Sequence, residues 1–237
     1  MLVFVAAEAR EFSGLLRHAE REVKLNWPVD FARKIWLNGR AALLIANGPG
    51  PALAGKAVEV ARGREKLTGL VSTGFCGALD PALKLSDIFV ATELTIPNDT
   101  IPNRDREGVG AYIPVNPHPH QTGVLLSIDR VAVTSIEKSA LHQTGAAAIE
   151  MEAAGVAAKA QEYNLPFYCV RVVTDTAGES FPLDFNQMRD ASGRFSRFKI
   201  LAAAFRNPTV FPKLLKFNKI SKHAAQALGD FLADTRF

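Results

Sequence analysis

Residues 146–178 read AAAIEMEAAGVAAKAQEYNLPFYCVRVVTDTAG. A short apolar strand, Ala146–Ile149, meets a polar corner, Glu150-Met151-Glu152. A helix follows, then a Leu-Pro turn, then a second apolar run, Phe167–Val173, which ends in Thr174-Asp175. Glu150 and Glu152 therefore stand where a buried strand gives way to a helix, and Asp175 stands at the carboxyl end of the next strand. Open α/β sheets bind ligands at the carboxyl ends of their strands, so acids from two segments are expected to converge on one pocket. Each acid also has a plain structural reading. Glu150 or Glu152 suits a helix N-terminus through the macrodipole, and Asp175 suits an Asx-type turn after a strand.

The combination of Glu-Met-Glu-Ala-Ala (150–154) with Val-Arg-Val-Val-Thr-Asp (170–175) resembles the signature of the purine and uridine phosphorylase superfamily. It is most similar to the methylthioadenosine/adenosylhomocysteine nucleosidase branch. The resemblance implies an α/β fold of three layers, a mixed central sheet flanked by helices, over residues 1–237, and a homo-oligomer, a dimer or larger. It also implies a nucleoside pocket in which Glu152 binds ribose hydroxyls and Met151 packs on the sugar.

Composition agrees with a folded core. The chain has 237 residues, 48% of them hydrophobic, and a formal net charge of +4. No Gly/Ser-rich or Pro-rich linker divides it, so one domain is expected. No apolar run approaches the roughly 20 residues that cross a bilayer. Met1–Ala7 is apolar, but Glu8, Arg10 and Glu11 cut it short, and a secretory leader is not expected. Cys76 and Cys169 both lie in apolar runs with no CxxC pairing, which reads as a cytoplasmic protein with small buried thiols. So modest a charge gives no argument for nucleic acid.

From the N-terminus, Leu2–Ala7 reads as a buried first strand, and Glu8-Ala9-Arg10-Glu11-Phe12 opens a helix that carries Leu15 and Leu16. Glu8 and Glu11 would share a helix face. They are either ordinary first-turn acids or a carboxylate delivered to the pocket just past strand one. The family resemblance assigns the base for water to Glu11. Asn38-Gly39 is a strong hairpin signal between Trp36–Leu37 and Ala41–Ala46. The loop Asn47-Gly48-Pro49-Gly50-Pro51 and a helix over Ala52–Val60 come next. Leu53 stands where a dinucleotide fingerprint needs its third glycine, and Pro51 lacks the N–H that a phosphate would use. No cofactor is expected, and the Pro49 loop reads as a substrate-side turn.

Leu70–Thr73 is the next strand, and Gly74-Phe75-Cys76-Gly77-Ala78 reads as a loop in which glycines let backbone approach a ligand or as a bulged strand end. In the superfamily a Gly-x-x-Gly here contacts ribose and base, which implicates Phe75, Cys76 and Gly77. Ser72 and Phe75 occupy the places where the phosphorylases carry an arginine and a serine. A phosphate dianion in a dry pocket needs such partners, so their loss favours water as the nucleophile.

Asp80–Asp87 reads as a turn, Ile88–Ala91 as a strand, Pro97–Gly123 as an irregular loop, Val124–Ile128 and Val131–Val133 as strands, Ser135–His142 as a short helix, and Ser180–Asp190 as a mixed loop. His118 and His120 are too few for a zinc site, and no metal is expected. In the tail, 206–237, Lys213, Lys216, Lys219 and Lys222 recur every third residue, with Phe211, Leu214, Leu215, Phe217 and Ile220 between them. That pattern fits a helix packed on the core with a solvated lysine face, or a peripheral contact with an anionic membrane surface. The run Asp129-Arg130-Val131, Glu137-Lys138, Leu141, Thr144-Gly145-Ala146 and the Arg-Asn-Pro and Leu-Leu-Lys of the tail resemble the hopanoid-associated phosphorylase branch. This resemblance implies adenine release from adenosylhopane.

The chemistry follows from the bond. Breaking a purine N-glycosidic bond leaves negative charge on the base, which must be protonated. An acid whose pKa is raised by burial does this best, and Asp175 after its apolar run fits. Glu11 then orients and deprotonates water. Arg171 either orients Asp175 or is structural. The expected activity is a purine nucleosidase acting on an adenosine-type nucleoside. The competitors are a phosphate-dependent phosphorylase, a non-catalytic nucleoside- or lipid-binding protein and, more distantly, a dinucleotide oxidoreductase.

Overall fold

The computed structural model describes residues 1–97, 107–190, 193–196, 207 and 210–237. Its strands are β1 (Leu2–Ala6), β2 (Arg21–Lys24), β3 (Phe31–Leu37), β4 (Arg40–Ala46), β5 (Gly69–Ala78), β6 (Ile88–Ile96), β7 (Glu107–Gly110), β8 (Gln121–Ser127), β9 (Ala148–Glu150) and β10 (Phe167–Asp175). Its helices are α1 (Pro51–Arg62), α2 (Ser135–His142), α3 (Ala153–Glu162) and α4 (Val210–Ala233). The strands form one mixed sheet, ordered β10-β6-β8-β9-β5-β1-β4-β3-β2, with β7 on β6. Because β10 also pairs with β5, five strands close a ring, and the others extend from it as an open sheet. β1, β4, β5 and β10 run parallel, so their carboxyl ends open on one side.

β1 shows why the sheet is covered on both faces. Val3 and Val5 enter the core beneath α1 and α3. Phe4 and Ala6 enter a second core that Phe12, Leu15, Ala224, Leu228 and Phe231 complete. A strand buried on both sides reads as a continuous apolar run, as Leu2–Ala6 does. The second core depends on a close approach. A Cβ at Gly229 on α4 would lie 2.1 Å from the backbone of Gly14 and Leu15, so glycine lets α4 press against the segment that carries Glu11.

Several expectations need correction. The segment after β1 forms two 3₁₀ turns, Ala9–Phe12 and Leu15–His18, in place of a helix. Gly74–Ala78 is no loop, because β5 runs through it to Ala78. The region read as irregular over Pro97–Gly123 contains β7 and the start of β8, and residues 98–106 lie outside the described residues. Val131–Val133 is not a strand. Its backbone bonds to side chains and a loop instead of a strand: Val131 N–H donates to Asn186 Oδ1, Asn186 Nδ2 donates back to Val131 O, Val133 N–H donates to Glu137 Oε2, and Val133 O accepts Phe181 N–H. The loop 180–190 holds a 3₁₀ turn, Phe185–Met188. The Asn38-Gly39 hairpin forms as read, with φ of 48° and 71°.

The start of the tail, 206–209, lies outside the described residues except Asn207. Beyond it, α4 divides in two. From Ser221 onward it packs on the core, whereas Leu215 is 69% and Phe211 36% exposed.

Candidate active site

A cavity of about 160 Å³ opens at the carboxyl ends of the parallel strands. Glu11, Glu152 and Asp175 all line it, although they come from the turn after β1, the corner after β9 and the end of β10. Met151 and Pro49 line it beside the glutamates, and Phe75, Cys76, Gly77 and Thr174 line it beside Asp175. The expected residues are thus brought together, with two exceptions in role.

Glu150 is the first. It touches the cavity, but its carboxylate is already engaged. It accepts the backbone N–H groups of Glu152 (2.8 Å) and Ala153 (2.9 Å) and forms an ion pair with Arg171. The helix N-terminal reading therefore describes it, since these are N–H groups that α3 cannot satisfy internally. Arg171 is the second. Its guanidinium does not reach Asp175. It bridges Glu150 and Glu152 and donates to Thr73 O at 3.0 Å and Ser72 Oγ at 2.6 Å. A planar fork with several donors suits such a bridging task.

Glu11 is fixed by backbone. Oε2 accepts Glu8 N–H at 2.8 Å and Oε1 accepts Phe75 N–H at 2.9 Å. Burial raises its pKa, opposed by these two N–H groups and by Arg171. Glu152 accepts Gly50 N–H through Oε1 at 3.1 Å and meets Arg171 through Oε2 at 3.3 Å. Burial and the neighbouring Glu150 charge push its pKa up to about 8, against the pull of Arg171. One carboxylate held by backbone thus sits near another that keeps its proton toward neutral pH.

Asp175 lies at a bulge, where the β10–β5 register shifts after Val173. A Cβ at Gly77 would come within 2.7 Å of Asp175 Oδ2, so Gly77 keeps room for the carboxylate. Thr174 Oγ1 donates to Oδ1 at 3.1 Å. The partner of Oδ2 is Lys138 of α2, with Nζ at 2.5 Å and no exposed surface. Burial raises the Asp175 pKa, and Lys138 opposes it. Sequence reading missed Lys138, and it missed Phe181 and Phe195, which line the cavity from the loop after β10, and Phe217, which lines it from α4. Their only signal was aromatic density between Phe181 and Phe217.

Among the described residues, no group of three or more His, Cys, Asp or Glu could hold a metal ion. His118 Nε2 instead meets Asp234 Oδ2 at 2.6 Å, and His120 Nδ1 meets His118 O. No helix of the described residues is long and apolar enough to cross a membrane.

A cavity at parallel strand ends, furnished with acids from separate segments of the chain, marks an α/β enzyme that acts on a small molecule. The family model described as the phosphorylase superfamily matches residues 2–204, and the chain belongs to that superfamily. Among curated relatives, a 5′-methylthioadenosine/S-adenosylhomocysteine nucleosidase of Bacillus licheniformis is 24% identical over 213 residues, covering 78% of this chain and 89% of that one. Among solved structures, the nucleosidase of the same name from Neisseria meningitidis, in complex with methylthio-immucillin-A, superposes with a TM-score of 0.73 at 18% identity. The match covers 98% of this chain and 96% of that one. A futalosine hydrolase mutant of Helicobacter pylori matches with a TM-score of 0.69 at 17% identity, covering 98% and 96%. At such identities the structures show the shared fold.

Proposed function

We propose that the protein is a purine nucleosidase that hydrolyses the N-glycosidic bond of an adenosine-type nucleoside. The observation that carries this reading is the shared cavity of Glu11, Glu152 and Asp175. Asp175, its pKa raised by burial, protonates the departing base, most simply at N7. Glu11, held by two N–H groups, orients water against the anomeric carbon and takes its proton. Glu152 hydrogen-bonds the ribose hydroxyls, its carboxyl oxygens accepting from the vicinal diol, and Met151 packs on the sugar. Thr174 steadies Asp175. Two carboxyl groups dividing acid and base work parallel glycoside hydrolysis, with a purine as the leaving group.

Water is favoured over phosphate by the cations that line the cavity. Arg10 is paired with Glu8 at 2.6 Å, and Arg130 is paired with Glu137. Deeper, Arg171 is taken by Glu150 and Glu152. A phosphate dianion would meet carboxylates there. Adenine release in phosphate-free buffer tests the reading. Turnover that requires phosphate makes the protein a phosphorylase, and nucleoside binding without any release makes it a binding protein.

A bulky apolar 5′ substituent, such as the hopane of adenosylhopane, is supported by one further observation. A second cavity of about 210 Å³, lined by Phe181, Pro182, Phe185, Leu214, Phe217 and Ile220, adjoins the first through Phe181 and Phe217. The exposed Leu215 beside Lys213, Lys216 and Lys219 on α4 supports a peripheral contact with anionic lipid. Co-sedimentation with anionic but not neutral vesicles, lost in Leu215→Glu, tests that contact. The exposed Tyr112, Ile113, Val115 and Ile136 support a homo-oligomer, which sedimentation velocity measures directly.

A further inference from the structure

Lys138 is a fully buried lysine in contact with the residue that the nucleosidase reading makes the leaving-group acid. It needs an account, because an ammonium removed from water is costly unless paired and hydrogen-bonded. Its pairing is well defined. One N–H donates to Asp175 Oδ2 at 2.5 Å and another to Thr176 O at 2.8 Å, and the ammonium faces the Phe181 ring, 5.4 Å from its centroid. The helix that delivers it is anchored at its start. The Thr134 side chain accepts Glu137 N–H at 3.1 Å, and Ser135 N–H donates to Ser180 Oγ at 2.9 Å.

We propose that Lys138 is the positioning residue for Asp175: its ammonium fixes the carboxylate at the bulge and refills it with the proton that passes to the departing base. The inference rests on the nucleosidase reading. The C1′–N9 bond breaks with its electron pair moving to the base. The base takes a proton at N7 from the Asp175 carboxyl, and Asp175 takes one from the Lys138 ammonium, leaving a neutral amine. Water bonds to C1′ and gives its proton to Glu11. When the products leave, Glu11 releases that proton and Lys138 recovers one from water, so the protons balance.

A carboxylate beside an ammonium is a poor acid by itself, since an opposite charge favours its ionised form. The pair nevertheless holds one transferable proton, shared across the 2.5 Å contact between Nζ and Oδ2. The neighbouring acids have cations of their own. Glu179, beyond β10, accepts Thr176 N–H and meets Lys216 of α4 at 3.6 Å. Glu137 of α2 is held by Arg130. The Cys76 thiol of β5 is held neutral, burial pushing its pKa well up.

The test compares pH profiles of kcat for the parent, Lys138→Met and Lys138→Arg. In Lys138→Met the carboxyl must carry the proton alone. Turnover is expected to fall at least about 100-fold at pH 8, to recover in part at acid pH, and to show an alkaline limb at lower pH than the parent's. Lys138→Arg keeps the charge but does not yield a proton, so its kcat is expected to be low across the range with KM near the parent value. A uniform fractional loss at every pH in Lys138→Met, full activity in Lys138→Arg, or a parent-like profile in Lys138→Met overturns the proposal. Infrared difference spectra against Asp175→Asn follow the Asp175 carboxyl without turnover. The band is expected to persist to higher pH in Lys138→Met than in the parent, and equal titration in both overturns the proposal even if the parent cleaves no nucleoside. Absence of nucleoside cleavage in the parent would by contrast count against the nucleosidase reading alone.

Discussion

Arg171 and Lys138 are both wholly buried and both answer carboxylates of one cavity, yet they do so differently. Arg171 stands between two glutamates and donates further, through its two terminal nitrogens, to Thr73 O and Ser72 Oγ, while its buried Nε has no partner among the described residues. Lys138 meets one aspartate and one carbonyl. A guanidinium is a rigid fork that does not give up its proton in a protein, whereas an ammonium is a compact charge that can. Under the proposed mechanism the sugar side therefore calls for fixed geometry, with Glu150 and Glu152 locked at the start of α3. The base side calls for a proton that moves. The difference teaches that one fold can surround its acids with cations and still assign them separate work.

The largest expected effect breaks the base side. Asp175→Asn is expected to lower kcat for adenine release by about 100- to 10,000-fold, the range for losing general acid help, and Glu11→Gln to lower it by at least about 100-fold. A parent-like rate in either variant removes that residue from the mechanism. Next comes the sugar side, read by stability. Arg171→Met leaves Glu150 and Glu152 buried without their cation, and breaking such a pair costs about 3–5 kcal/mol. Urea unfolding is expected to show this loss exceeding that of Lys138→Met, which abandons a single carboxylate. Equal losses would erase the distinction between the two cations.

The two sides were unequally legible in the sequence. The strand–corner–helix run through Glu150-Met151-Glu152 and the apolar run into Asp175 were readable because period and burial coincide there. Arg171 was visible, but its partner was not, since strand alternation places 171 and 175 on one face and says nothing of Glu150 at the end of β9. Lys138 had no local signal at all. Its helix buries Lys138 completely and leaves Ile136 82% exposed, the reverse of what hydrophobic patterning predicts, because the helix is docked by tertiary contacts around Asp175. β2, with the polar sequence Arg21-Glu22-Val23-Lys24, is a mostly exposed strand at the edge of the sheet and carries too little apolar pattern to be read. Val131–Val133 showed the opposite failure, a short apolar run with no strand to pair with.

A third effect concerns pH and sharpens the sugar side. The folded protein holds the Glu152 proton to about pH 8, whereas an ordinary glutamate loses it near pH 4.3. Between those values the folded state binds more protons than the unfolded state, so Glu152 lowers stability as pH rises and its favourable contribution is complete only below about pH 4.3. Burial shifts Glu11 and Asp175 in the same direction. Thermal unfolding across pH 5–9 is expected to show a falling Tm in the parent and a shallower fall in Glu152→Gln. A slope unchanged by that substitution would mean that Arg171 keeps Glu152 ionised throughout.

The smallest effect separates binding from chemistry at the same residue. If Glu152 receives the ribose hydroxyls, then at pH 9, where it has lost its proton, Glu152→Gln exchanges a charged acceptor for a neutral amide while Asp175 and Glu11 keep their places. One hydrogen bond to a charged group is worth about 1.5–3 kcal/mol, and the amide oxygen still accepts, so only part of that is lost. The parent is expected to prefer ribo over 2′-deoxy substrate in kcat/KM, and the variant to reduce that preference about tenfold, a difference of about 1.4 kcal/mol. The change should fall mainly on the ribo substrate, because the deoxy sugar never used the second acceptor. A variant that loses both substrates equally would show that Glu152 acts through Arg171 on the architecture of the corner. The sugar side would then be a scaffold, and recognition would have to come from the backbone around Gly50 or from Met151.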